Sequence, residues 1–121
     1  MLIGRKGAID SPQYIETPFW SIDTLFYTEI FEAALARFVF YKLNMINWRA
    51  YNEASGVPSL NAAMIESIET TFPPLREQSA IAEVLSDMDA ELVALEQRCD
   101  KTRALKQGMM QELLIGKTRL V

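Results

Sequence analysis

The residues that most constrain the fold of this chain lie between positions 75 and 115. This stretch of about 40 residues contains no proline and only one glycine, and as a helix it would be roughly 60 Å long. Pro73 and Pro74 precede it, where the missing backbone N–H of a proline costs nothing. Gly116 follows it, and glycine commonly ends a helix. The sequence therefore predicts one long helix in the C-terminal part of the chain.

Apolar residues recur along this predicted helix with alternating spacings of four and three, which is the pattern of a coiled coil. We call these residues the heptad stripe: Ile81, Leu85, Met88, Leu92 and Leu95. Cys99 continues the pattern, which slips at Thr102 and Lys106 and resumes at Met109. The roughly 70 residues before the helix cannot cover a stripe of this length. We therefore expect the helix to pair with a second helix through the heptad stripe.

The distribution of charge indicates how two such helices would pair. Residues 61–97 contain eight acidic side chains and one basic side chain, whereas residues 98–121 contain six basic and two acidic ones. Antiparallel pairing places unlike charges together, so we expect an antiparallel homodimer, although an exposed ion pair contributes only about 0.5 kcal/mol. One alternative stays open. The same polarity suits the dipole of a single helix that folds back on its own globular part.

The first 72 residues show a mixed pattern. Residues 1–5 and 19–27 are predicted strands, the second with Trp20, Ile22 and Phe26 on one face. A helix is predicted over residues 31–48, where apolar residues recur at helical spacing without glycine or proline.

Further along, Asn61 is placed to cap a short helix that ends at Glu66, and residues 67–72 resemble a last strand. The predicted fold class is therefore α+β. A mixed domain over residues 1–72 precedes a long coiled-coil helix and its tail over residues 73–121.

Composition excludes several classes of function. The chain has no histidine and a single cysteine, which excludes an internal disulfide, the common zinc sites and histidine-based catalytic triads. No apolar stretch is long enough to cross a membrane, and no secretory leader is apparent. We therefore expect a cytoplasmic protein that has no metal or other cofactor and is not an enzyme.

A basic turn follows the first predicted strand, at residues 4–7 with the sequence GRKG. It lacks the length and the Gly-Lys-Ser/Thr ending of a P-loop. Arg5 and Lys6 on such a turn could reach a DNA phosphate or a guanine edge, although two exposed basic residues are more commonly plain solvated surface. We take Arg5 and Lys6 as candidate DNA contacts.

The end of the predicted long helix is rich in flexible apolar side chains: Met109, Met110, Leu113 and Leu114. Methionine adapts its shape to irregular surfaces, so this cluster is a candidate contact for a partner protein. The alternative is a small satellite core beneath the globular part.

Four sequence stretches, in this order, resemble those of a known family. They are LIGRKGAI (2–9) with PFWSIDT (18–24), PSLN (58–61), PPLREQ (73–78) with IAEVLSDMD (81–89), and KQGMMQELLIGKTRL (106–120). The chain resembles the C-terminal part of the specificity subunit of a type I restriction–modification system.

This resemblance implies a DNA-binding subunit that is not catalytic. In that family a target-recognition domain precedes a long helix, and two such helices pair antiparallel as a spacer between the halves of a bipartite DNA site. The resemblance also implies partners: methyltransferase subunits, which carry the chemistry, and through them the restriction subunit.

Length is the departure from the family, because a complete recognition domain is longer than residues 1–72. We therefore expect a truncated domain with exposed strand edges. The competing interpretation is a coiled-coil interaction module. Such a module would dimerise or capture methyltransferase subunits without useful affinity for DNA, and the acidic net charge of −4 favours it.

Overall fold

A computed structural model describes all residues, 1–121, and shows an α+β chain with a long C-terminal helix, as expected. The elements are strands β1 (Leu2–Gly4) and β2 (Leu25–Tyr27), helices α1 (Ala36–Asn44), α2 (Ala62–Glu66) and α3 (Leu75–Leu114), and a 3-10 helix at Trp48–Tyr51. The chain forms two compact units, Met1–Ala82 and Glu83–Val121. The first residues of α3, through Ala82, therefore belong to the first unit, and the predicted boundary after residue 72 stays a prediction.

The two strands form a small antiparallel sheet in which Leu2 lies opposite Tyr27 and Gly4 opposite Leu25. On the other side of β1, the backbones of Leu2 and Gln13 exchange two hydrogen bonds of 2.9 Å. Strand β1 thus has partners on both sides, and our expectation of exposed edges is wrong for this strand.

The predicted second strand is shorter than expected, since only the last three residues of 19–27 form a strand. The chain turns just before them, and the backbone N–H of Leu25 donates to the carbonyl of Ile22 at 3.0 Å. The expected common face does not form, because Trp20 and Ile22 are exposed whereas Phe26 is half-buried.

Helix α1 is also shorter than the predicted helix over residues 31–48. Residues before it form a turn, with a hydrogen bond of 3.0 Å from the N–H of Ala34 to the carbonyl of Phe31, and Leu35 is extended. After α1 the chain enters a separate 3-10 helix, which buries Trp48 and lets its indole N–H donate to the carbonyl of Leu43 at 2.9 Å.

The short helix α2 confirms the predicted cap, because the side chain of Asn61 accepts a hydrogen bond of 2.8 Å from the N–H of Ala63. The strand predicted over residues 67–72 is wrong. Both the backbone N–H and the hydroxyl of Ser67 bond to carbonyls of α2, so this segment begins as the end of a helix and finds no strand partner.

The core of the first unit is small and centres on four buried side chains: Ile3, Ile9, Trp48 and Leu60. Half-buried side chains from β2, α1 and α2 surround it, among them Phe26, Leu43 and Ile65. The core therefore joins β1 and Ile9, which lies two residues after the basic turn, to several later segments of the chain.

Helix α3 ends as the sequence predicts. Gly116 has a positive φ of 74°, a conformation that glycine adopts without strain. Its N–H donates to the carbonyl of Leu113, and the N–H of Lys117 donates to that of Glu112. This pair of bonds is a Schellman motif, which satisfies carbonyls that the helix itself leaves unpaired.

Candidate functional site

The basic turn at residues 4–7 is held by backbone hydrogen bonds on two sides. The N–H of Arg5 donates to the carbonyl of Thr24 at 2.8 Å, and the carbonyl of Arg5 accepts from the N–H of Leu60 at 2.9 Å. The N–H of Gly7 donates to the carbonyl of Pro58 at 2.8 Å. The structure thus brings together the first two of the four stretches that carry the family resemblance, residues 2–9 with 18–24 and residues 58–61.

The two candidate DNA contacts have different surroundings on this turn. Both side chains are exposed. The guanidinium of Arg5 donates to the backbone carbonyl of Asp23 at 3.3 Å and lies 5.8 Å from the ring centroid of Phe26. The ammonium of Lys6 forms no ion pair, although its backbone bridges to Ser59. The ammonium of Lys6 is therefore available to bind an anion, whereas the guanidinium of Arg5 already donates a hydrogen bond to the neighbouring loop.

The loop beneath the turn, residues 52–59, is organised by Asn52, which the sequence analysis did not single out. The side-chain oxygen of Asn52 accepts hydrogen bonds from the N–H groups of Ala54 and Ser59, at 3.1 and 2.9 Å. Its amide nitrogen donates to the carbonyl of Ala54 at 2.8 Å. Asparagine next to a Ser-, Gly- and Pro-rich loop is a known turn signal, which could have identified it.

An ion pair near the turn also escaped prediction. The guanidinium Nε of Arg49 lies 2.7 Å from a carboxylate oxygen of Asp10. This hydrogen bond lowers the pKa of Asp10 below its ordinary value. The negative charge of Asp10, three residues after the basic turn, is thereby balanced by Arg49 of the 3-10 helix.

A second polar cluster lies at the start of α1. Arg37 forms an ion pair of 2.8 Å with Glu16 and lies 4.9 Å from the ring centroid of Tyr14. Hydrogen bonds from Tyr14 and then Arg37 lower the pKa of Glu16. Burial, followed by the carboxylate of Glu16, raises the pKa of Tyr14. The cluster fastens the 14–16 segment to α1.

The heptad stripe runs along α3 and spans both units, with Ile81 in the first and the other four residues in the second. Ile81 and Leu85 are half-buried, whereas Met88, Leu92 and Leu95 are between 53 and 57% exposed. Cys99, next along the stripe, is a free exposed thiol. The stripe therefore offers exposed apolar surface along the acidic half of the helix.

The candidate protein-contact cluster near the end of α3 is also largely accessible. Met109, Met110 and Leu114 are exposed, and Leu113 is half-buried. A shallow cavity of about 570 Å³ opens beside them, lined in part by Leu105, Met109 and Ile115.

The structure contains no group of three or more His, Cys, Asp or Glu side chains placed to hold a metal ion. No helix is both long and apolar enough to cross a membrane.

Comparison with known proteins identifies the family. The family model for the type I restriction modification DNA specificity domain matches residues 13–106. This chain belongs to that family. The match includes β2, the loop beneath the basic turn and most of α3.

Two relatives are specificity subunits from Methanocaldococcus jannaschii. The type I restriction enzyme MjaVIII specificity subunit is 30% identical over 116 residues, which cover 93% of this chain and 24% of the relative. The putative MjaX specificity subunit is 32% identical over 65 residues, 54% of this chain and 14% of the relative. The chain thus spans about a quarter of the length of the first relative and a smaller share of the second. No solved structure matches the chain significantly.

Proposed function

We propose that this chain is a DNA-specificity module of a type I restriction–modification system, which contacts DNA through its basic turn and docks methyltransferase subunits through α3. The observation that carries the proposal is that the first two resemblance-bearing stretches meet at a turn whose Lys6 ammonium has no ion-pair partner. Lys6 and Arg5 would bind phosphates or guanine edges.

Helix α3 would supply the protein contacts. In this proposal two copies pair antiparallel through the heptad stripe, and Met109, Met110, Leu113 and Leu114 meet a methyltransferase subunit. Exposed apolar residues along the stripe and the change from acidic to basic charge along α3 support this assignment. The restriction subunit would join through the methyltransferase.

The proposal assigns no catalytic step to this chain. Methylation, with its cofactor, would be performed by the methyltransferase subunit, in the cytoplasm where the DNA lies. The names of both relatives are those of specificity subunits, which favours this role over an interaction module without DNA affinity.

Binding of the chain to duplex DNA, measured across a range of salt concentrations with and without the methyltransferase subunit, tests the proposal. We expect Lys6→Ala to weaken binding and to reduce the slope of log affinity against log salt by about 1, as loss of one phosphate contact does. Lys42→Ala on α1 is the charge-matched control and should keep the slope. Binding to the methyltransferase without any binding to DNA would instead support the interaction module.

A further inference from the structure

The loop before β2 presents an unusual side chain. Trp20 is 98% exposed, whereas the other tryptophan, Trp48, is 2% exposed and lies in the core. Phe19 and Ile22 beside it are also exposed. Exposed apolar clusters of this kind commonly mark interaction sites.

This loop is attached to the basic turn. The Arg5 backbone N–H bonds to Thr24, and the Arg5 guanidinium bonds to the carbonyl of Asp23. Trp20 precedes Asp23 by three residues, so their Cα atoms lie within about 11 Å even in a fully extended chain. The loop that carries Trp20 is therefore bonded to the turn that carries Lys6, and residues 18–24 and 4–7 together form one surface.

The charges of this surface favour an anionic partner. Lys6 and Arg5 are its cations, and Arg49 compensates the nearby Asp10. Residues 18–24 carry one carboxylate, that of Asp23, whose backbone carbonyl accepts from Arg5. Glu16, two residues earlier than this segment, is paired with Arg37. A polyanion that also offers flat apolar rings would satisfy both the cations and the indole, and nucleic acid has this combination of phosphates and stacking bases.

We propose that Trp20 is a DNA-contacting residue, which packs its indole against a base or a deoxyribose next to a phosphate bound by Lys6. This inference rests on the proposed DNA-binding function and adds a contact that is apolar. Loss of an aromatic residue that stacks on a base commonly weakens the binding of single strands by about 5- to 100-fold. We expect an effect at the lower end of this range for a duplex, whose bases already stack on one another. Because the indole carries no charge, its loss should leave the salt dependence of binding unchanged.

The test uses a mixed-sequence DNA duplex and the full chain, with the methyltransferase subunit present if binding requires it. We expect Trp20→Ala to lower affinity at least fivefold while keeping the salt slope of the wild type. Phe31→Ala is the matched control, because Phe31 is also an exposed aromatic residue, at 80%, but lines an apolar cavity that includes Phe72. In the wild type, DNA should also protect tryptophan fluorescence from acrylamide, since Trp48 is already shielded in the core.

The outcomes separate this inference from the proposed function. If the wild type binds DNA and Lys6→Ala changes the salt slope, but Trp20→Ala binds as tightly as the wild type, only the role of Trp20 is refuted. If Trp20→Ala loses affinity for the methyltransferase subunit and not for DNA, the residue is a protein contact and the inference is wrong. A wild type that binds no DNA would overturn both proposals. Circular dichroism should show an unchanged fold in the variant, because the side chain is almost fully exposed.

Discussion

The side-chain oxygen of Gln78 accepts a hydrogen bond of 2.8 Å from the backbone N–H of Leu35, the residue that precedes α1. The amide nitrogen of Gln78 donates to the carbonyls of Ala33 and Pro73, at 3.0 and 2.8 Å. Gln78 is fully buried. One side chain on the first turn of α3 thus fixes the start of α1, the turn before it and the segment that leads into α3.

Replacement of Gln78 by leucine should destabilise the first unit by about 3 kcal/mol. The substitution preserves side-chain size but leaves the buried polar groups of Leu35, Ala33 and Pro73 without this partner, and each unpaired group costs about 1–3 kcal/mol. Urea unfolding monitored by the fluorescence of buried Trp48 measures the effect. Glu77→Gln, on the exposed neighbouring residue, is the control. It removes only the favourable interaction of an acid with the start of α3 and should cost less than about 1 kcal/mol. Equal stability of the two variants would show that the Gln78 hydrogen bonds are dispensable.

Alanine at Gly4 should disrupt the basic turn. A Cβ atom at Gly4 would overlap the backbone carbonyl of Ala8, which cannot move aside as a flexible side chain can. We expect a loss of about 2 kcal/mol or more, as in overpacked cores, together with weaker DNA binding. Gly56→Ala is the matched control, because nothing lies within 4 Å of its added Cβ and its φ is not positive. Similar urea midpoints for the two variants would contradict the close approach of Gly4 to Ala8.

The features that the sequence predicted correctly are those with local causes. Helix α3, the cap at Asn61 and the end at Gly116 each depend on residues that are neighbours in the chain. The strand over residues 67–72 was wrong because Ser67 bonds to carbonyls of α2 and ends that helix. The long version of α1 was wrong because a distant contact decides where that helix begins. The N–H of Leu35, for example, is held by a side chain 43 positions away.

The candidate site was predictable only in part for the same reason. Arg5 and Lys6 stand out in the sequence as two basic residues on a turn, and the structure exposes both. The attachment of Arg5 to Asp23 and the pairing of Arg49 with Asp10 join residues 18 and 39 positions apart. No local pattern signals such pairs, so the surface around Trp20 emerges only once the chain is folded.

The pKa of Glu16 should depend on Tyr14. Hydrogen bonds from Tyr14 and then from Arg37 lower the pKa of this carboxyl group in the folded protein. A lowered folded-state pKa contributes stability above the unfolded-state value, and that stability is lost as pH falls through the folded-state value. Tyr14→Phe should therefore raise the pKa of Glu16 and weaken the decline of stability in acid. NMR titration of the Glu16 carboxyl measures this pKa, with the exposed Tyr27→Phe as a control that should not change it.

A charge in the heptad stripe should prevent helix pairing. We expect the wild type to be a dimer by light scattering and Leu92→Asp to be a monomer, because burial of an unpaired carboxylate between two helices is strongly unfavourable. Ala90→Asp introduces the same charge two positions away, on the opposite face of α3, and should remain a dimer. A wild-type monomer, or dissociation by both substitutions, would refute pairing through the stripe.

The single cysteine reports the direction of pairing. In a parallel dimer the two Cys99 residues face each other at the same level of the stripe, so mild oxidation should link them. In an antiparallel dimer centred on the middle of α3 (Leu75–Leu114), Cys99 and its counterpart are separated by about 14 Å along the axis, beyond the roughly 7 Å Cα separation that a disulfide tolerates. We therefore expect oxidised wild type to show no more covalent dimer on non-reducing gels than monomeric Leu92→Asp at equal concentration. Rapid cross-linking confined to the wild type would favour parallel helices. In that arrangement the acidic halves of the two α3 helices would lie side by side, and so would the basic halves.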